Sequence, residues 1–137
     1  MNKLILLIAI VLLPIASCSN NNEPKNHAYL ELGYESIVIE DYNSAIKNFN
    51  KAIEVDPESV EAYNMRGLVL GIMGDYSSAL ADFNRSIQID PENAEAYKSR
   101  GITKLHLKQK AEGCKDLTQA ARLGYAGGYD LVNEFCK

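Results

Sequence analysis

Apolar side chains recur along this chain at steps of three and four, in blocks that themselves return every 34 residues. In the middle block Tyr63, Leu68, Leu70 and Ile72 belong to a first helical pattern, and Tyr76, Ala79, Leu80, Phe83 and Ile87 recur at steps of three and four in a second. Steps of three and four put residues on one face of a helix, so the second predicts an amphipathic helix packed on the first. Gly74-Asp75 separates the two, the glycine suited to a left-handed turn and the aspartate to capping the next helix. Asp90-Pro91 ends the second helix, because proline cannot continue it, and Asn93 is then available as the following cap. The block therefore predicts a helical hairpin.

The same signs stand in register on either side. Tyr29, Tyr63 and Tyr97 share a position, as do Gly33, Gly67 and Gly101, then Ala45, Ala79 and Gly113, then Phe49, Phe83 and Leu117. Repeats follow at 26–59, 60–93 and 94–127. The third diverges, with Lys110 where the others have tyrosine and Gly124-Tyr125 where they have Asp-Pro. A last segment, 126–137, puts Tyr129, Val132 and Phe135 on one face and predicts a short closing helix. One hairpin cannot bury its apolar face alone, so hairpins must stack.

These units resemble tetratricopeptide repeats (TPR). Repeat one carries Tyr29, Leu32-Gly33, Tyr42, Ala45, Phe49, Ala52 and Pro57; repeat two carries Tyr63, Arg66-Gly67, Tyr76, Ala79, Phe83, Ser86 and Pro91. The resemblance implies an all-α fold, a right-handed solenoid of three hairpins plus the closing helix, spanning 26–137. It also implies a concave surface lined by the first helix of each repeat. Carried over position by position, the groove is expected at Leu30, Tyr34, Ile37, Asn64, Met65, Leu68, Lys98 and Ile102, with His27, Glu31, Val38, Glu61, Gly71, Ile72, Glu95, Ser99, Leu105 and His106 on the same surface. Relatives that grip acidic chaperone tails use lysine and asparagine at set places, which here hold Leu30, Tyr34, Met65, Glu95 and Ser99. An apolar or mixed peptide is the expected ligand. Arg66 with Asp82, and Arg100 with Asp116, recur together and are expected to pair within each hairpin.

The first residues are a separate object. Lys3 precedes an apolar run from Leu4 to Leu13, which as a helix would rise about 15 Å, half of a roughly 30 Å hydrocarbon core. This reads as an export signal over residues 1–17 rather than a spanning helix. Ile15-Ala16-Ser17-Cys18 resembles the lipobox of bacterial lipoproteins, which implies lipidation at Cys18 and a flexible tether over 18–25. Localisation is then the cell envelope, with Ser19 after the cysteine favouring an outer membrane.

With the lipid-bearing cysteine set aside, Cys114 and Cys136 remain, an even number in a compartment that permits oxidation. They lie on either side of the turn near Gly124-Tyr125, so a disulfide is expected. The alternative is two buried thiols, since Ile46 and Leu80 occupy the repeat position of Cys114.

The whole chain of 137 residues has a formal net charge of −4 and no basic stripe, which argues against nucleic acid. His27 and His106 stand alone, so no metal site is expected, and no nucleophile motif or phosphate loop suggests an enzyme or a cofactor. The expected function is a membrane-anchored scaffold or adaptor for another envelope protein. The alternative is a constitutive, pilotin-like subunit of an outer-membrane assembly or secretion machine.

Overall fold

Short polar side chains start the helices. Asp41 accepts a hydrogen bond from the Ser44 amide, Ser59 from Ala62, Asp75 from Ser78 and Asn93 from Ala96. Each satisfies an amide that the first helical turn leaves without an internal partner. The computed structural model describes residues 23–137, and these form α1 (Glu23–Val38), α2 (Tyr42–Val55), α3 (Val60–Ile72), α4 (Tyr76–Ile89), α5 (Ala94–His106), α6 (Lys110–Arg122) and α7 (Gly128–Phe135), with no strand among them. Packing is mainly between chain neighbours: α1 on α2, α3 on α4 and α5 on α6 make the hairpins, α2 on α3, α4 on α5 and α6 on α7 join them, and α3 also touches α5. This is a TPR-like solenoid of helical hairpins. Cys18 and the export signal lie outside the described residues. Among the described residues no helix is long and apolar enough to cross a membrane.

Within the first two hairpins a phenylalanine wedges against a glycine. A Cβ on Gly67 would lie 2.9 Å from the Phe83 ring, and Gly33 meets Phe49 still more closely. Ala45, Phe49 and Ala79 are fully buried and Phe83 nearly so. Truncating either ring to alanine would cost roughly 3–5 kcal/mol. The third hairpin substitutes Leu117 for the ring and closes further: a Cβ on Gly101 would lie 2.9 Å from the Gly113 carbonyl, and one on Gly113 as near the Gly101 carbonyl.

Two expected boundaries change. Helix α1 already begins at Glu23, ahead of the expected start of the first repeat at residue 26, with Pro24 in the first turn where its missing N–H breaks no helical bond. The closing helix runs 128–135 rather than 126–137, because Gly127 takes a left-handed conformation (φ 75°) and starts it. Its packing face is also different. Tyr129 and Phe135 are exposed, and the contact with α6 is made through Gly128, where a Cβ would come within 2.7 Å of the Ala121 Cα.

Candidate functional site

The three hairpins meet at two seams whose residues correspond position by position at the 34-residue interval. Where α1 meets α3, the first seam holds Tyr34, Ile37 and Met65. All three pack against a buried cluster of Leu30, Ala45, Phe49, Ala52, Ala62 and Val69. Tyr34 sets its ring edge-on to Phe49, centroids 6.0 Å apart, and donates its hydroxyl to Glu61 Oε1 at 2.5 Å. Burial, and then the Glu61 carboxylate, push that hydroxyl well above the ordinary tyrosine value, so it stays protonated. This seam is filled.

Where α3 meets α5, the corresponding positions hold Leu68, Gly71 and Ser99. Each is smaller than its counterpart, and the result is a cleft of about 370 Å³. Leu68, Gly71 and Ile72 form one wall, Lys98, Ser99, Ile102 and His106 the other, and Tyr76 and Phe83 of α4 contribute to the lining. A Cβ added at Gly71 would meet no atom within 4 Å. Unlike Gly67 and Gly101, it is not required by any close approach. His106 stacks on Tyr76, planes 7° apart and centroids 5.2 Å, and so closes one end. Lys98 is drawn aside by an ion pair with Glu95 and sits 5.2 Å over the Tyr125 ring. The lining is mainly apolar with a few polar groups, a composition suited to a bulky apolar side chain.

The groove expected as a continuous strip is thus divided. Leu68, Lys98 and Ile102 line the open cleft. Leu30 is buried at 6% exposure in the cluster with Ala45 and Phe49 and is corrected from groove to core, whereas Ile37 and Met65 pack against that cluster and stay half-buried. Tyr34 also belongs to that packed seam. Asn64 lies outside the cleft, its Oδ1 buried without a hydrogen-bond partner in the structure. Gly71, Ser99 and His106 were on the expected surface without being singled out, and Tyr76 was read only as packing. The signal for them is in the sequence: Gly71 against Ile37 and Ser99 against Met65 is a loss of volume at equivalent positions.

Both seams carry the same polar brace. Arg66 grips Asp82 through Nε and Nη2 at 2.8 and 2.6 Å and reaches across the first seam to Asn50 at 2.7 Å. Arg100 repeats this with Asp116 at 2.8 and 2.7 Å and with Asn84 at 2.7 Å. Lys104 adds a second cation to Asp116 at 2.7 Å. The carboxylate hydrogen bonds hold each guanidinium charged more firmly than usual, against the opposing effect of burial.

At the far end Cys114 and Cys136 are joined by a disulfide, Cα atoms 5.6 Å apart, tying α6 to the end of α7. No group of three or more His, Cys, Asp or Glu is placed to hold a metal ion among the described residues.

Comparison with known proteins agrees with this architecture. Residues 60–93 match the family model described as tetratricopeptide repeat, and residues 39–74 match a second described as TPR repeat. The match to tetratricopeptide repeats therefore covers residues 39–93. No curated protein matches it by sequence. Among solved structures, the first TPR of Spaghetti (RPAP3) bound to the HSP90 peptide SRMEEVD is 19% identical, with TM-score 0.78 over 82% of this chain and 91% of that one. The TPR2B domain of yeast Sti1, in a complex with pHsp70, is 22% identical, with TM-score 0.76 over 82% and 93%. An O-GlcNAc transferase mutant from Thermobaculum terrenum is 21% identical, with TM-score 0.76 over 82% of this chain but 22% of that one. At these identities the likeness establishes the fold. The same stack serves in peptide complexes and within a much longer enzyme, so the class of function is argued from the cleft.

Proposed function

We propose that this chain is a lipid-anchored adaptor of a bacterial cell envelope that binds a segment of another envelope protein, taking a bulky apolar side chain of it into the cleft beside Gly71. The observation that carries the binding half is the vacancy at Gly71. Gly71 lies in the last turn of α3, glycine is a poorer helix former than any residue but proline, and no neighbouring atom demands one here. Peptide complexes of structurally similar TPR domains support the mode of binding. Support for the anchoring half is the apolar run and the Ile15-Ala16-Ser17-Cys18 box.

Gly71→Ile tests the cleft by restoring the residue that fills the first seam. Peptides selected from a displayed library on the wild-type chain should share a large aliphatic or aromatic residue and lose at least tenfold in affinity for the variant. The variant's thermal midpoint should hold or rise, since isoleucine is the better helix former by about 0.5 kcal/mol. Unchanged affinity would place the binding surface elsewhere. Metabolic labelling with a clickable fatty acid tests the anchor: wild type should be marked and Cys18→Ser should not, and equal labelling would end that reading.

A further inference from the structure

The turns within the hairpins all lie on one edge of the stack, because successive helices alternate in direction. That edge is apolar in every repeat. Val38 and Ile39, Ile72 and Met73, and Leu107 occupy equivalent places and are exposed by 82, 74, 52, 48 and 38%. Turns between hairpins lie on the opposite edge and read Asp56-Pro57-Glu58 and Asp90-Pro91-Glu92, with no large apolar side chain exposed. The apolar edge is therefore not a general property of turns in this chain, and single exposed apolar residues would not line up in register.

Charge along that edge is graded. The first turn carries Glu40 and Asp41, the middle one Asp75, and the third Lys108 followed by Lys110, whose ammonium also donates to the Lys137 carbonyl. Glu40 and Lys108 hold the left-handed position of their turns, φ 59° and 63°, which Gly74 holds in the middle one at φ 85°. Glycine is the residue this backbone favours. At the two outer turns it is replaced by side chains of opposite charge, and it is kept at the centre.

We propose that this edge docks a second copy of the same chain, antiparallel, about a two-fold axis passing near Met73 and Gly74. A two-fold contact sets each residue of one copy against its counterpart in reverse order. The equal spacing of the three turns then places Val38 and Ile39 against the partner's Leu107, Glu40 and Asp41 against the partner's Lys108, and Met73 against its own copy. Gly74, lacking a side chain, lets the two backbones approach at the axis. A parallel arrangement would put acid on acid and lysine on lysine. A membrane fits less well, since the chain enters α1 at the opposite edge, one helix of about 24 Å away, and the edge's two lysines are outnumbered by Glu40, Asp41 and Asp75.

The full chain, purified in mild detergent, should sediment at twice its monomer mass at micromolar concentration. Met73→Cys should cross-link to itself on oxidation, with oxidised wild type as the background for Cys18. Val38→Cys should not, but should cross-link to Leu107→Cys when the two are mixed, because a disulfide requires Cα atoms within about 7 Å. Glu40→Lys should weaken the dimer at least tenfold, and Lys108→Glu on the same chain should restore it. All five positions are exposed or in turns, so circular dichroism should remain that of wild type. A monomer at every concentration, self-linking of Val38→Cys, or a dimer indifferent to Glu40→Lys would each overturn the proposal. None of the five lines the cleft, so failure here leaves the peptide reading standing.

Discussion

At the first seam Tyr34, Ile37 and Met65 are half-buried against the core; at the second, Leu68, Gly71 and Ser99 stand in the same places and a cleft remains. The polar brace is the same on both, arginine to aspartate within the hairpin and arginine to asparagine across it. Helix spacing is therefore held by residues that recur, while the opening is decided at three positions that differ. A stack of repeats can in this way separate the residues that set its lattice from those that set its binding surface.

The sharpest way to break the comparison is to carve the first seam in the image of the second. Tyr34→Leu, Ile37→Gly and Met65→Ser together remove the packing on the Leu30 and Phe49 cluster and place a glycine in the last turn of α1. The expected loss is roughly 3–5 kcal/mol, measured by urea denaturation, with no gain in affinity for peptides selected on the wild type. A loss below about 1 kcal/mol would mean that the first seam is as loosely packed as the second.

The disulfide gives the next largest effect. The open seam leans on the third hairpin, which lacks a side-chain cap at Gln109 and a ring at position 117, and whose α6 ends in a glycine turn rather than Asp-Pro. Cys114 and Cys136 close it through a loop with sequence separation 22. Replacing both by alanine should cost about 3 kcal/mol. Hydrogen exchange should quicken in α6 and α7 and leave α1 and α2 at their wild-type rates. Uniform quickening along the chain would show that the two seams unfold as one unit.

Much of this was legible before any coordinates. The 34-residue interval gave the hairpins, and the joint recurrence of Arg66 with Asp82 and Arg100 with Asp116 anticipated both ion pairs. The groove was less legible. Position within a repeat says which way a side chain points and not whether its neighbours leave room, so Leu30 is expected on the groove and lies in the core, with Ile37 and Met65 half-buried against it. The closing helix was misread for a related reason. Tyr129, Val132 and Phe135 do share a helical face, but the close approach at Gly128 turns Tyr129 and Phe135 outward. A glycine contact on a neighbouring helix carries no apolar signal in the sequence.

The smallest expected effect separates the hairpins by acid. The Ser44 hydroxyl and amide hold Asp41 below the ordinary carboxylate range, and Ser78 does the same for Asp75, whereas Gln109 starts α6 with no side-chain cap. A carboxyl whose folded value is depressed contributes stability above its unfolded value and loses it as pH falls through the folded one. Below about pH 4, then, the first turns of α2 and α4 should lose exchange protection relative to their values at neutral pH, and the first turn of α6 should not share that loss. Both aspartates are on the surface, so the change should be confined to those turns. Asp41→Asn with Asp75→Asn should remove the pH dependence while keeping the caps, since asparagine serves as well at that position. Equal acid sensitivity at the start of α6 would assign the effect to the molecule's overall charge and not to its caps.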